Sequence, residues 1–158
     1  MADALGLIGA ILICALAAAI GGVATAGPVR TWYPALRKPG WNPPAQLFGP
    51  VWSVLYLTMA VSAWLIWRTR DATDVSVPLA LFAVQLALNV LWSGLFFGLR
   101  RPGAALLEIG VLWIAILSTA VAFWPIDPVG SVLLLPYLAW VTFAAVLNGS
   151  IFSLNRIA

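Results

Sequence analysis

Five continuous apolar stretches of about 20 residues constrain this chain more than any other feature. A helix needs roughly 20 apolar residues to cross the hydrocarbon core of a bilayer. The stretches cover residues 5–26, 46–67, 77–98, 104–124 and 130–154. Because they are continuously apolar, they predict helices instead of the alternating strands of a membrane barrel. The sequence therefore predicts an all-α membrane protein, one domain over residues 1–158 with five transmembrane helices.

Composition supports the membrane assignment and excludes several kinds of site. Hydrophobic residues make up 63% of the chain and charged residues only 8%, whereas about 25% of the residues in soluble domains are charged. Histidine is absent and Cys14 is the only cysteine, so we expect no disulfide, metal site, required cofactor or histidine catalysis. The basic residues form no run, which argues against a nucleic-acid partner.

The basic residues are distributed unequally between the two ends of the predicted bundle. Six of the eight lie in the first and third connections and at the C-terminus: Arg30, Arg37, Lys38, Arg100, Arg101 and Arg156. Only Arg68 and Arg70 lie on the other side. An excess of Lys and Arg marks the cytoplasmic side. We therefore expect the first connection and the C-terminus to be cytoplasmic and the N-terminus to lie outside.

The first apolar stretch is expected to remain as a membrane helix. Residues 24–26 (Ala-Thr-Ala) resemble a signal-peptidase site, but the chain begins with Asp3 and no basic residue, and the stretch is long for a signal peptide. Small residues recur at every fourth position: Gly6, Ala10, Cys14, Ala18 and Gly22. Such a face suits close helix packing, so Cys14 is predicted to be a small packing residue.

The first connection, residues 27–45, is rich in proline and aromatic residues. Its four central prolines are Pro34, Pro39, Pro43 and Pro44, which restrict their own backbone angles and those of the preceding residues. A segment this rigid fits a preorganised lid over an internal site. It also fits an aromatic belt in which Trp32, Tyr33 and Trp41 anchor helix ends at the headgroups. These residues alone leave both interpretations open.

Polar and aromatic residues share faces of three predicted helices at helical spacing. The faces are Gln85, Asn89, Trp92 and Phe96 on the third helix, Trp52, Tyr56 and Met59 on the second, and Trp140, Ala144 and Asn148 on the fifth. Each face alone is compatible with core packing, since Asn and Gln also bridge membrane helices. Three such faces beneath a rigid loop favour a cavity.

A flat, largely apolar ligand with a polar rim fits these residues. Indole rings stack on conjugated rings, the amides orient the ligand, and Arg30, Arg37 and Lys38 lie where its carboxylates would reach the headgroup region. A tetrapyrrole such as protoporphyrin has this chemistry. Haem iron finds few axial ligands in a chain without histidine, so we expect a preference for metal-free porphyrin.

Glu108 is the one acidic residue inside a predicted helix. Intramembrane acids are rare, and near a helix end they reach interfacial water or pair with a cation. We expect Glu108 to reach interfacial water or to pair with Arg100 or Arg101. A role in transport is the alternative.

Four sequence blocks together resemble one known family. The blocks are "TWYPALRKPGWNPP" at 31–44, "GPVWSVLY" at 49–56, "QLALNVLWSGLFFG" at 85–98 and "PYLAWVTFAAVLN" at 136–148. With these blocks the chain resembles the translocator protein family, also called tryptophan-rich sensory proteins (TspO/MBR), from about residue 20 to residue 150. The resemblance implies five transmembrane helices around a ligand pocket capped by the first connection, commonly in a homodimer.

The resemblance also implies a function and a set of pocket residues. Family members bind porphyrins and, in animals, cholesterol and benzodiazepine-site drugs. The implied pocket positions are Trp32, Trp41, Asn42, Pro43, Trp52, Asn89, Trp92, Trp140 and Ala144. We therefore expect a receptor or transporter-like tetrapyrrole-binding protein of the bacterial cell membrane that regulates porphyrin levels or transport.

Two other functions stay open from the resemblance. Some bacterial relatives are linked to light-dependent oxidative degradation of protoporphyrin, and the tryptophans associated with it match Trp52 and Trp140. A cholesterol or lipid carrier is the other alternative, but residues 147–156 lack the tyrosine of the animal cholesterol motif. Val29, Tyr33 and Arg37 repeat that pattern in the first connection, where such a match is weak.

Overall fold

The computed structural model describes residues 2–156. Five long helices run through this range: α1 (Ala2–Ala26), α2 (Phe48–Trp67), α3 (Ser76–Ser93), α4 (Pro102–Phe123) and α5 (Leu135–Asn155). With their short extensions, all five are long and apolar enough to cross a membrane. The predicted five-helix, multi-pass membrane bundle is therefore confirmed.

The helix ends follow from local sequence signals. α4 begins at Pro102, where the missing amide hydrogen costs nothing because first-turn donors have no partner within the helix. Asp127 caps the short helix Pro128–Val132 by accepting hydrogen bonds from the Val129 and Gly130 amides at 2.9 and 3.1 Å. At the turn before α4, Arg100 has a φ of 54°, in the left-handed region that few non-glycine residues adopt.

Two of the predicted helices are less regular than expected. Residues 77–98 were predicted as one helix, but α3 ends at Ser93 and continues as a π-helical turn, Gly94–Gly98. Residues 130–154 were also predicted as one helix, whereas a short helix, Pro128–Val132, precedes α5. Pro136 lies in the first turn of α5, where a proline is tolerated, so the chain breaks before it and does not bend around it.

Close helix contacts hold the bundle together. Successive helices alternate in direction, α1 packs on α2 and α3, and α4 packs on α3 and α5. Gly6 lies directly against the ring of Trp67, and Gly103 lies against the ring of Phe152. Between lipid-exposed helices such contacts stabilise through packing, because burial in hydrocarbon supplies little hydrophobic driving force.

The first loop, residues 27–45, is ordered by its own hydrogen bonds as well as by its prolines. The Lys38 ammonium donates to the carbonyl oxygens of Tyr33, Pro34 and Leu36 at 2.8, 3.0 and 2.8 Å. The Tyr33 hydroxyl donates to Asn42 Oδ1 at 2.6 Å. Lys38 therefore acts as an internal crosslink of the loop.

The first loop is also fixed to the bundle at two places. The Tyr33 ring is buried, with ring centroids 6.1, 6.4 and 5.9 Å from Phe48, Phe96 and Phe97. At the end of α5, the Arg37 amide donates to Asn155 Oδ1 at 3.1 Å, and Asn155 Nδ2 donates to the Arg37 carbonyl at 2.9 Å. We call this reciprocal pair the latch.

Candidate functional site

A cavity of about 540 Å³ lies in the half of the bundle that carries the first loop. This volume falls within the range of roughly 300–1,000 Å³ that small-molecule sites occupy. Helices α1, α2, α3 and α5 supply its walls, and Tyr33 of the first loop also lines it. The cavity is therefore bordered by four of the five helices and by the loop.

Pairs of aromatic rings line three of the walls. Trp52 lies 5.6 Å from Tyr56, Trp92 is stacked on Phe96 at 5.3 Å, and Trp140 lies 5.4 Å from Phe143. These six residues all line the cavity. Close stacked and tilted contacts between aromatic rings stabilise the pairs. The walls therefore present indole rings from three different helices to one shared space.

The fourth wall is the small-residue face of α1. It comprises Ile11, Cys14, Ala15, Ala18, Gly21, Gly22, Thr25 and Ala26. Small side chains leave the space that a flat molecule needs opposite the indole rings. Cys14, predicted to be a small packing residue, is buried in the core of the bundle and also lines the cavity. Small residues at every fourth position do share one face of α1. This pattern does not distinguish a face that contacts another helix from a face that borders a cavity.

A buried amide behind the wall is hydrogen-bonded to two tyrosines, of which Tyr56 lines the cavity. The Tyr56 hydroxyl donates to Asn89 Oδ1 at 2.6 Å, and Asn89 Nδ2 donates to the Tyr137 hydroxyl at 2.9 Å. The Tyr137 ring in turn lies 6.2 Å from Trp52. Asn89 is only 1% exposed and is not among the lining residues of the described chain. It therefore positions the wall, whereas the sequence predicted direct ligand contact.

The structure brings six of the predicted ligand-binding residues together around the cavity. They are Trp52, Tyr56, Trp92, Phe96, Trp140 and Ala144. The periodicity of the second, third and fifth helices was sufficient to find them. Lining residues that the sequence interpretation missed include Phe48, Phe97, Phe143 and Leu147, which are apolar residues that nothing in the sequence distinguishes from lipid-facing ones.

Other predicted ligand-binding residues lie outside the lining, within the part of the chain that the structure describes. They are Trp32, Trp41, Asn42, Pro43, Gln85 and Asn89. Trp32 and Trp41 pack edge-on against Phe96 and Phe143 at 5.7 and 5.8 Å, so each supports a lining residue. Gln85 is fully buried one helical turn from Asn89, and neither of its amide atoms has a partner among the described residues.

The two polar groups of Asn42 are used inside the first loop. Its Oδ1 accepts from Tyr33 at 2.6 Å and its Nδ2 donates to the Pro43 carbonyl at 3.0 Å. Burial raises the pKa of Tyr33 to about 12, partly offset by the hydrogen bond to Asn42. Because the Tyr33 hydroxyl is engaged in this way, the Val29, Tyr33 and Arg37 pattern gains no support as a sterol site.

The predicted carboxylate-binding cations are not in the cavity either. Lys38 uses its three ammonium hydrogens on loop carbonyls, so the prediction that it meets a ligand carboxylate requires correction. Arg30 and Arg37 are exposed and lie outside the lining of the described cavity. At the latch, the peptide group of Arg37 is bonded to Asn155 of α5.

The expected pairing of Glu108 with Arg100 or Arg101 is wrong. Glu108 is 9% exposed, and neither carboxylate oxygen has a hydrogen-bond partner among the described residues. The one ion pair found within residues 2–156 joins Arg70 to Asp71 at 3.8 Å. Glu108 shares the buried face of α4 with Ala105, Ile109 and Leu112, whereas the two arginines are exposed. Helix geometry therefore directs the carboxylate inward, away from them.

Comparison with known proteins identifies the family. The family model described as "TspO/MBR family" matches residues 10–154. The chain is 42% identical over 144 residues to the tryptophan-rich protein TspO of Chlorobaculum tepidum, covering 90% of this chain and 91% of that protein. It is 40% identical over 143 residues to protein CrtK of Rhodobacter capsulatus, covering 90% and 88%. It is 41% identical over 119 residues to the human translocator protein, covering 74% and 70%. The chain therefore belongs to the TspO/MBR family of membrane proteins.

Proposed function

We propose that this protein is a membrane receptor or transporter-like protein that binds a tetrapyrrole of the protoporphyrin type in the cavity. The observation that carries the proposal is the arrangement of Trp52, Trp92 and Trp140, which come from three helices and line one space of about 540 Å³. Indole faces bind flat conjugated rings by offset stacking, and the small-residue wall of α1 leaves room for the ring opposite them.

The first loop acts as a lid in this proposal. Tyr33 lines the cavity and is buried against the aromatic walls, while the latch holds the other side of the loop. The carboxylates of the ligand lie toward this end of the molecule, which carries six of the eight basic residues of the chain. By the same basic excess, the first loop faces the cytoplasm, and we expect the protein to form a homodimer as its relatives commonly do.

Metal-free porphyrin is the preferred ligand in this proposal. Among the described lining residues, Cys14, Tyr33 and Tyr56 have side chains that can bind haem iron. Cys14 is only 2% exposed, and the hydroxyls of Tyr33 and Tyr56 already donate to Asn42 and Asn89. Met59 is fully buried and outside the lining, and Met1 lies outside the described residues. Equal or tighter binding of haem in the same titration would contradict the preference.

Tryptophan fluorescence quenching by protoporphyrin tests the proposal. Trp52→Leu and Trp140→Leu each remove one stacking surface, and we expect each to raise Kd about tenfold, which corresponds to ~1.4 kcal/mol. Trp124→Leu is the matched control, because Trp124 is 57% exposed at the opposite end of the bundle, and its Kd should match that of the unmodified protein. An unchanged Kd in both cavity variants, with unchanged helix content, would refute the proposal.

Light-dependent degradation of the bound porphyrin is a second candidate function. It is favoured by one observation, that Trp52 and Trp140, the two tryptophans implied by the resemblance, both line the cavity. Illumination of the purified protein with protoporphyrin should then give a new pigment that Trp52→Phe and Trp140→Phe fail to produce. Binding without a protein-dependent product would contradict the degradation function and support only the receptor function.

A further inference from the structure

The charges of this chain are separated between the two ends of the bundle. Six of its eight basic residues lie at the end that carries the first loop, and four of its five acidic residues, Asp3, Asp71, Asp74 and Asp127, lie at the other end. The fifth, Glu108, is buried within α4. Every exposed charge in the described part of the first-loop end is therefore positive.

Tertiary contacts bring three of these arginines, which are distant in sequence, to the last turn of α5. The latch joins Asn155 to the peptide of Arg37, and Arg156 is the next residue, with its guanidinium carbon 5.6 Å from the Phe152 ring. That ring lies against Gly103, two residues beyond Arg101. We call Arg37, Arg101 and Arg156 the arginine collar.

A second contact on the same helix holds the Arg101 segment in place. Asn148 of α5 is buried, and in the amide orientation that satisfies both of its polar atoms, its nitrogen donates to the Pro102 carbonyl at 2.9 Å. Its oxygen accepts from the Leu106 amide at 3.1 Å. Two asparagines of α5, Asn148 and Asn155, thus fix the backbones that carry Arg101 and Arg37.

The collar arginines are exposed and lack ion-pair partners in the described chain, unlike Arg70 at the opposite end. All three collar arginines are exposed, and none is in an ion pair within residues 2–156. By contrast, Arg70 stacks 3.5 Å above the Trp67 ring and is ion-paired with Asp71. The partial negative charge at a helix C-terminus accounts for Arg156, and the basic excess of the cytoplasmic side accounts for the presence of Arg37 and Arg101. Neither accounts for the position of all three, without ion-pair partners in the described chain, at the end of one helix.

We propose that the arginine collar binds the headgroup phosphate of an anionic phospholipid in the surrounding leaflet. The collar lies near the end of a helix that is long and apolar enough to cross a membrane, a position that corresponds to the headgroup level. Guanidinium groups bind phosphate oxygens with paired hydrogen bonds, and basic residues next to a membrane attract anionic lipids. This inference is independent of the tetrapyrrole site.

Native mass spectrometry with equal amounts of phosphatidylglycerol and phosphatidylcholine tests the proposal. We expect the protein to retain phosphatidylglycerol preferentially, and the double variant Arg101→Gln/Arg156→Gln to reduce that preference at least about fivefold. Arg68→Gln/Arg70→Gln removes the same charge from the other end and should retain the preference. Both variants leave Arg37 and Asn155, the two residues of the latch, unchanged.

Three outcomes would overturn the proposal. The first is an equal loss in the two double variants, because it would show a response to net charge alone. The second is an unchanged preference in the collar variant. The third is displacement of the lipid by millimolar glycerol phosphate, because it would assign the collar to free phosphate compounds instead of membrane lipid.

Discussion

Replacing Asn155 with alanine removes the two hydrogen bonds of the latch and so favours opening of the first loop. Each bond contributes about 0.5–1.5 kcal/mol net, and both latch bonds are exposed to solvent, which places each at the low end of that range. Their sum is about 1–2 kcal/mol, which increases the open population of the loop about 5- to 30-fold. The bond from Asn155 to the Ile151 carbonyl, at 2.7 Å, lies within α5 and affects the open and closed states equally.

This change has a kinetic signature that a change in the cavity does not have. If the loop must open for both entry and exit of the ligand, Asn155→Ala raises the association and dissociation rates of protoporphyrin by the same 5- to 30-fold factor. The ratio of the two rates, and hence Kd, stays constant. A cavity variant such as Trp52→Leu should instead raise Kd, mainly through the dissociation rate.

Stopped-flow quenching measures the two rates, and amide hydrogen exchange of residues 33–42 reports loop opening without any ligand. Ser150→Ala is the control, because the Ser150 hydroxyl donates to the Val146 carbonyl of its own helix at 2.9 Å. Unchanged exchange in the loop would refute the assignment of the latch. Faster exchange with unchanged ligand rates would refute the loop as the barrier to entry and exit.

Two further predictions concern α1 and Tyr33. Gly6→Ala should destabilise the protein by about 1–3 kcal/mol, because the new Cβ would overlap the Trp67 ring. A Cβ at Gly9 would meet nothing within 4 Å, so Gly9→Ala should be neutral or slightly stabilising. Thermal unfolding compares the two variants, and equal stabilities would be the contradicting result. Burial raises the pKa of Tyr33 from 10.0 to about 12, so its contribution to stability is complete below pH 10 and declines as the pH rises toward 12. In an absorbance titration, the tyrosinate signal of Tyr33 is the difference between the unmodified protein and Tyr33→Phe. This difference should appear near pH 12, and its appearance near pH 10 would contradict the buried position.

Part of the candidate site could be predicted because helical periodicity reports which residues share a face. Trp52 with Tyr56, Trp92 with Phe96, and Trp140 with Ala144 were found in this way, and all six line the cavity. Periodicity does not report what lies opposite a face. Small residues on α1 were therefore assigned to helix packing, although Cys14 and Ala18 border the cavity while Gly6 does contact Trp67.

The polar residues were harder to place because their partners lie far away in the sequence or depend on how the chain folds back. Lys38 was expected to meet a ligand but bonds to three carbonyls of its own loop. Asn89 was expected in the cavity but lies between two tyrosines from other helices. Glu108 was expected to pair with a neighbouring arginine but lies on a buried face of α4.

The sequence by itself determined the membrane location, the number of helices and the aromatic character of the walls, because the length and periodicity of apolar runs are local properties. Only the tertiary structure decided which face borders the cavity, where the first loop is fastened and which arginines meet at the end of α5. In a bilayer, a helix contact and a ligand cavity favour the same small and polar residues. The choice between them depends on neighbouring helices that no local pattern specifies.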